Sequence, residues 1–200
     1  MPGQTAATTR KRGAVLEHAI HTATLEELAD AGYAAFVVDR VARRARVGRA
    51  SLYRRWSGKH ELIAAAVASS LPPLDDPPDT GSLRGDLVAC FERMHGLLDG
   101  PGTLAFQALA AELHDPGHSA LIVLLREQVL EPRLQRVLDV LLRGAARGEI
   151  RAEAAVPVLA RTGPALLIQH LLMFGTPAPH HQIVDIVDRV ILPAARGSRD

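Results

Sequence analysis

Cysteine, aromatic residues and long apolar runs are scarce in this chain of 200 residues. Cys90 is the single cysteine, so no internal disulfide can form and the fold cannot depend on one. Aromatic residues make up 4% of the sequence, so a core must consist mainly of Leu, Val, Ile and Ala. The longest uncharged apolar stretch, residues 163–175, is too short to span a bilayer. Because no apolar secretion signal is present either, we expect a cytoplasmic protein.

Motifs for catalysis and nucleotide binding are missing as well. The sequence contains no P-loop, no G-x-G-x-x-G turn, no nucleophile elbow and no H-E-x-x-H pair. His114 and His118 have the i, i+4 spacing of a helical metal site, but Pro116 and Gly117 between them disfavour one continuous helix. We therefore expect no enzymatic activity, no metal site and no cofactor.

Apolar residues recur at helical rather than strand spacing along most of the chain. Ile183, Ile186, Val187 and Val190 show the i, i+3, i+4, i+7 pattern of an amphipathic helix. Residues 72–81 interrupt the helical pattern with four prolines and three acids, which is typical of a linker. The sequence therefore predicts an all-α protein of about nine helices. One domain is expected over residues 1–70 and a second over residues 82–200.

Charge is distributed unevenly between these two parts. Residues 1–62 carry a net charge of +5, whereas residues 63–200 carry −4. Eight basic residues occur between positions 40 and 59 without a single acid. Apolar residues such as Val41, Leu52 and Trp56 are interspersed among them, and a solvated basic tail would lack these. Two short helices, over about 38–45 and 49–56, would bury the apolar set and expose the basic one, as in proteins that bind nucleic acid.

The second of these helices supplies the candidate DNA contacts. In a helix-turn-helix motif, residues near the N-terminal end of the second helix lie closest to the base edges. Arg49 can donate a bidentate pair to guanine, and Lys59 at the start of the following helix can bind phosphate. A mobile basic arm over residues 1–12 would contact the adjacent DNA backbone or minor groove. The full set predicted to contact DNA is Arg12, Arg49, Ala50, Ser51, Tyr53, Arg55 and Lys59.

Part of the basic and aromatic cluster has a simpler explanation. Trp56 follows Tyr53 by three residues on a helix, and we expect Trp56 to belong to the core. Arg40, Arg43 and Arg44 fit either a DNA-facing surface or the solvated side of the first helix, and the sequence leaves both interpretations open.

Residues 12–67 resemble the DNA-binding domain of TetR-family transcriptional regulators. Residues 45–62 read A-R-V-G-R-A-S-L-Y-R-R-W-S-G-K-H-E-L, close to the family pattern A-G-V-S-x-G-T-L-Y-x-[HY]-[FW]-x-[SN]-K-[ED]-x-L. Arg46 occupies the position of the turn glycine in that pattern, which predicts strain or an altered turn. The resemblance implies a ligand-responsive repressor that binds a palindromic, double-stranded DNA operator as a homodimer.

The remainder of the chain resembles one type of C-terminal domain in the same family, through residues 83–87 and 112–153. This likeness implies that the last two helices pair with a second subunit and that the domain binds a small-molecule effector whose identity is open. The candidate pocket consists of apolar residues and one histidine that would also suit a plain core: Phe91, Met94, Leu98, Phe106, Leu109, Leu125, His170 and Phe174.

The predicted function is therefore that of a DNA-binding transcriptional regulator. The alternative is a helical ligand-binding or protein-interaction module whose basic face meets an acidic partner. Duplex DNA distinguishes the two, because binding to phosphates is lost steeply as salt rises.

Overall fold

A computed structural model describes residues 3–97 and 119–197, and the side chains of residues 13–96 and 120–197. Every regular element in these ranges is helical, which confirms the all-α prediction. The α-helices are α1 (Gly3–Ala31), α2 (Val38–Arg44), α3 (Arg49–Tyr53), α4 (Lys59–Ser70), α5 (Leu83–Leu97), α6 (Ser119–Leu125), α7 (Glu131–Ala146), α8 (Pro157–Phe174), α9 (His180–Asp185) and α10 (Leu192–Arg196).

Two π-helical segments, Arg126–Leu130 and Ile186–Ile191, precede α7 and α10. Each of the following helices has proline at its second position, Pro132 and Pro193. Proline lacks the backbone N–H and its ring crowds the carbonyl four residues earlier, so the regular α-helical hydrogen bonding cannot continue unchanged there. The residues that follow residue 70 are not helical until α5, as the proline content of this stretch predicts.

Two predicted boundaries differ from the structure. The expected N-terminal arm is instead helical, because α1 begins at Gly3. Alanine, arginine and lysine in this segment are good helix formers. The prediction of an arm considered the basic charge of the segment and not this helix propensity. The helix expected over about 49–56 ends at Tyr53, and Trp56 follows it in the connection to α4.

The first compact unit contains α1 to α4 and α6, although α6 lies in the stretch predicted to form the second domain. α1 packs against α4 and α2, and α6 packs against α4. The predicted core position of Trp56 is confirmed, since 9% of this residue is exposed. The buried core of the unit is built mainly from Ile20, Leu28, Tyr33, Val41, Leu52, Trp56, Leu62, Ile63 and Leu121.

His21 of α1 is a buried histidine in this core. Its ring lies 5.4 Å from the ring of Trp56, and its Nε2 has no hydrogen-bond partner among the described residues. Burial lowers the pKa of His21 from the ordinary value of 6.5, the charge of Glu17 opposes this shift, and His18 adds to it. The folded protein therefore holds this imidazole in its neutral form over a wider pH range than the unfolded chain does.

Acidification is expected to destabilise the first unit through His21. Below pH 6.5 the unfolded state binds this proton more readily than the folded state, so the free energy of unfolding falls until the pH reaches the lowered, folded-state pKa. Urea unfolding at neutral and mildly acidic pH measures the slope. His21→Leu should reduce it strongly, whereas His18→Leu should reduce it much less, because His18 makes only the smallest contribution to the shift. An unchanged slope in His21→Leu would show that other groups cause the acid sensitivity.

The second compact unit contains α5 and α7 to α10. α7 packs against α5 and α8, and α5 contacts both α8 and α9. A Cβ atom on Gly163 of α8 would overlap the ring of Phe91 of α5, so only glycine permits this close approach of the helix backbone. The fully buried side chains include Leu83, Leu87, Phe91, Leu141, Leu167 and Leu171.

A buried carboxylate joins α5 to the loop before it and to the end of α7. Asp86 is fully buried and accepts hydrogen bonds from the backbone N–H (2.6 Å) and hydroxyl (2.8 Å) of Thr80. Arg147 Nη2 lies 2.8 Å from the other oxygen of Asp86, and its Nε donates to Glu149 at 2.6 Å. Glu149 in turn accepts the backbone N–H of Leu83 at 2.8 Å, which caps the start of α5. These bonds connect residues far apart in sequence.

No helix among the described residues is long and apolar enough to cross a membrane.

Candidate nucleic-acid interface

The turn between α2 and α3 has the geometry that a helix-turn-helix motif requires. Arg46 adopts a left-handed conformation with φ of 55°, the one described residue other than glycine with a positive φ. The Val47 N–H donates to the Ala42 carbonyl at 2.9 Å, so the turn closes as it would with glycine. The strain predicted from the arginine is therefore present, at about 1 kcal/mol, while the turn itself is retained.

α3 presents one exposed face and one buried face. Arg49, Ala50 and Tyr53 are exposed, and their i, i+1, i+4 spacing places them on one side of the helix. Arg54, the residue after the helix, is exposed as well. Leu52 lies on the other side and is fixed in the core. The short helix is thus held by its apolar side, while the residues predicted to contact DNA remain accessible.

Ser51 and Arg55 are coupled to each other. The Arg55 Nη1 donates to the Ser51 hydroxyl oxygen at 2.9 Å and to the Ser51 carbonyl at 3.2 Å. The serine oxygen thereby accepts one hydrogen bond from the protein, and its own proton is available for a phosphate or a base. Of the predicted contacts, these two act as a pair.

Arg49 has a protein partner that the sequence argument missed. Its Nε lies 2.7 Å from Oδ1 of Asp39, and 65% of the arginine side chain is exposed. Asp39 is in the first turn of α2, where a carboxylate is favoured by the helix dipole. The sequence shows Asp39 as the only acid in α2, immediately before the basic run, but it does not show which arginine pairs with it.

Arg40 and Arg44 both have acidic partners on α1. Arg40 Nη1 lies 3.3 Å from Glu27, whose side chain is 2% exposed. Arg44 Nη2 lies 2.9 Å from Asp30 and 3.5 Å from Glu27. The two arginines therefore neutralise a buried carboxylate and tie α2 to α1. Arg43 is exposed, and its Nε donates to the backbone carbonyl of Asp39 at 3.4 Å.

Lys59 is placed at the N-terminal end of α4. Its Nζ lies 4.2 Å from the centroid of the buried Tyr33 ring, a cation–π contact that orients the ammonium group. The preceding turn is closed by Glu61, which accepts the Ser57 N–H at 2.8 Å, and this hydrogen bond lowers the pKa of Glu61. An oriented ammonium group beside a helix N-terminus is a suitable phosphate site.

Lys59→Ala is expected to weaken binding to all duplexes to a similar extent. Loss of one phosphate contact should make the plot of log affinity against log salt less steep by about one unit. Fluorescence anisotropy with labelled duplexes over a series of salt concentrations measures this slope. Lys59→Arg, which retains the charge, is the matched control. A slope equal to that of the unmodified protein would exclude Lys59 as a phosphate contact.

Arg12 and the residues of the candidate effector pocket are distributed over both compact units and over residues outside the described ranges. The backbone of Arg12 belongs to α1, and its side chain lies outside the described residues. In the second unit Phe91 is buried, Met94 packs against the core, and 67% of Phe174 is exposed beside His170, whose ring centroid is 4.6 Å away. Leu125 packs against the core of the first unit. The remaining residues of the candidate pocket, Leu98, Phe106 and Leu109, lie outside the described residues.

Two family models match the chain. Residues 20–66 match the model described as bacterial regulatory proteins, tetR family, which covers the helix-turn-helix. Residues 77–190 match the model described as tetracyclin repressor-like, C-terminal domain. The chain belongs to the TetR family. Both resemblances inferred from the sequence are thereby confirmed.

Two relatives match this TetR-family chain over most of their length. An uncharacterised HTH-type transcriptional regulator of Mycobacterium tuberculosis is 32% identical over 171 residues, which cover 86% of this chain and 83% of that protein. The DNA-binding transcriptional repressor TetR of Mycobacteroides abscessus is 32% identical over 187 residues, covering 92% and 96%. These relatives identify this TetR-family chain as a DNA-binding transcriptional regulator.

Solved structures share the TetR-family fold. A TetR-family transcriptional regulator from Mesorhizobium loti superimposes with a TM-score of 0.71 at 16% identity, over 94% of this chain and 99% of that one. The transcriptional regulator FadR from Bacillus subtilis, in complex with stearoyl-CoA, gives a TM-score of 0.63 at 17% identity, over 90% and 98%.

Proposed function

We propose that this TetR-family regulator is a ligand-responsive repressor that binds a palindromic operator as a homodimer. The observation that carries the DNA-binding part is the exposed face of α3, where Arg49, Ala50 and Tyr53 stand clear of the core that holds the helix. A helix held in this way can enter a major groove, with its N-terminal residues nearest the base edges. A regulator of this kind acts on the chromosome, so we propose a cytoplasmic location.

The exposed apolar side chains of α8 support the homodimer. Val158, Leu172 and Met173 are 72%, 50% and 69% exposed, and Ala165 lies between them on the same helix. Residues 158, 165 and 172 recur every seven positions, so they form one stripe along the helix. Val190, in the π-helical segment before α10, adds a further exposed apolar side chain. A second copy of the same surface would remove this stripe from water.

The homodimer determines the form of the operator. Two copies of α3 related by a two-fold axis would read two half-sites in opposite orientation, spaced by about 34–36 Å or a multiple of that distance.

We propose the division into a DNA-binding part over residues 1–70 and a sensing and dimerisation part over 82–200. The two family models support it by ending at residue 66 and beginning at residue 77.

The effector is proposed to act on the second part of the chain. FadR was solved in complex with stearoyl-CoA and the multidrug binding protein EbrR in complex with imidazole, and the relative from Mycobacteroides abscessus is a repressor. These names support a small-molecule effector and repression in this chain. An effector that binds better to the conformation unable to fit DNA would release the operator by shifting the population of conformations.

Selection of bound genomic fragments, followed by light scattering of the free protein, tests the proposal. We expect enrichment of fragments that share an inverted repeat, a mass equal to two chains, and binding that weakens steeply with salt. A monomer, or enriched fragments without an inverted repeat, would contradict the homodimer. Binding to an acidic protein at the same salt concentration with no binding to duplex DNA would favour the alternative module instead.

A further inference from the structure

We propose that Asp39 is a positioning residue for Arg49, and that it sets how selectively the interface reads DNA. The inference rests on the proposed binding of DNA through α3. Its basis is the ion pair between Asp39 in the first turn of α2 and Arg49 at the first residue of α3. This contact links the two helices of the motif directly at the surface that would face the DNA.

The ion pair limits the positions that the guanidinium can occupy. An arginine side chain that is 65% exposed would otherwise sample many rotamers. Asp39 approaches most closely at Nε, 2.7 Å away, and this leaves the Nη1 and Nη2 groups as the pair that can donate together to guanine O6 and N7. An arginine held in this way loses less conformational freedom on binding guanine, so the gain for the correct base is larger.

The charge of Asp39 and its positioning of Arg49 affect DNA binding in different ways. The carboxylate of Asp39 is 37% exposed beside a surface that otherwise carries cations, so it repels the phosphates of any duplex. That repulsion weakens binding to all sequences, whereas the positioning of Arg49 strengthens binding only where guanine lies opposite. The repulsion lowers both affinities by the same factor, so only the positioning of Arg49 increases the ratio of specific to non-specific affinity.

The helix dipole offers a purely structural role for Asp39, and the two roles predict different results. A carboxylate in the first turn of α2 stabilises that helix irrespective of Arg49. Removing it would then lower thermal stability but leave base preference unchanged. A positioning role instead predicts a change in base preference that disappears when Arg49 is absent.

The test compares Asp39→Ala with the unmodified protein on defined duplexes. The reference duplex is the one that the unmodified protein selects from a randomised pool. A series of variants carries each possible single base-pair change of that duplex. A last duplex is unrelated in sequence. Asp39→Asn, which keeps the shape and an acceptor oxygen, guards against loss of folding. Asp75→Ala, which removes an exposed acid from the linker, is the control for net charge.

We expect Asp39→Ala to reduce discrimination at the guanine read by Arg49 by about 5- to 10-fold, a part of the full bidentate effect. Affinity for the unrelated duplex should rise by roughly 2- to 5-fold at low salt, since one phosphate-repelling charge is gone. In an Arg49→Ala background, Asp39→Ala should leave base preference unchanged. The discrimination of Asp39→Asn should lie between that of Asp39→Ala and that of the unmodified protein. Asp75→Ala should retain the discrimination of the unmodified protein.

Besides the unchanged base preference that a purely structural role predicts, two outcomes overturn the positioning role. Equal tightening on every duplex would mean that Asp39 acts by repulsion alone. Loss of preference at a base pair that Arg49 does not read, persisting in the Arg49→Ala background, would mean that Asp39 contacts a base directly. If the unmodified protein selects no sequence from the pool, the proposed operator binding itself fails, and this result is distinct from the other two.

Discussion

Replacing Asp86 by alanine is expected to lower the free energy of unfolding by about 3 kcal/mol. The carboxylate is fully buried and accepts three hydrogen bonds, two from Thr80 and one from Arg147. Its removal leaves the Thr80 N–H and hydroxyl without their acceptor and takes away a partner of Arg147. Since the bonds hold the loop before α5 to the end of α7, the loss should be seen as a lower midpoint of chemical unfolding.

Asp185→Ala is the matched control for this prediction. Asp185 is exposed and pairs with Arg189 one helical turn away at 2.8 Å. An exposed i, i+4 pair contributes roughly 0.3–0.5 kcal/mol, so the control should be nearly as stable as the unmodified protein. Similar midpoints for Asp86→Ala and Asp185→Ala would contradict a structural role of the buried carboxylate.

The pKa of Asp86 also predicts how the stability of the second unit changes with pH. Burial alone would raise the pKa of Asp86, but the hydrogen bonds from Thr80 and Arg147 outweigh it and hold the pKa below the ordinary value of 3.8. The stabilisation is therefore fully present at neutral pH and is lost as the pH falls below 3.8 through the folded-state pKa. Asp86→Asn should remove this part of the acid sensitivity.

Arg49→Ala is expected to abolish the preference for guanine at one or two positions of the operator. A bidentate contact of arginine with guanine O6 and N7 contributes about 1–3 kcal/mol of discrimination, so the selected sequence and its base-pair variants should become nearly equal at those positions. Binding to other positions should keep its preferences. Competition between the selected duplex and each single base-pair variant measures the effect.

Arg54→Ala is the comparison for Arg49→Ala. Arg54 follows the last residue of α3, is exposed, and carries the same charge. Its loss should reduce affinity for all duplexes by a similar factor, because a cation without a base partner contributes mainly through phosphate. If Arg49→Ala behaves in the same way, with uniform weakening on all sequences, Arg49 contacts the backbone and does not read a base.

Much of the fold could be predicted from the sequence, because helices and their buried faces leave a local periodic pattern. The spacing of Val41, Leu52 and Trp56 places α2, α3 and the core beneath them with little ambiguity. Their position beside an acid-free basic run also predicts the DNA-binding surface. The family resemblance depends on the same residues and is confirmed by the match over residues 20–66.

The ion pairs could not be predicted, because they depend on distances between side chains of different helices. Glu27 looks like an ordinary surface acid of α1, yet the structure buries it between Arg40 and Arg44. The ion pair between Asp39 and Arg49 is likewise a matter of helix geometry and rotamer. The position of α6 in the first unit is also not local, since it depends on packing against α4 rather than on chain order.

The arginine at the turn bears on how this regulator can change over generations. A glycine at position 46 would adopt the φ of 55° without the strain of about 1 kcal/mol that Arg46 carries. A change from arginine to glycine there would add a margin of stability at the loss of one cation. Such a margin lets a protein tolerate destabilising substitutions elsewhere. Lineages with glycine at this turn should therefore accept more variation on the exposed face of α3, and so move more readily to new operators.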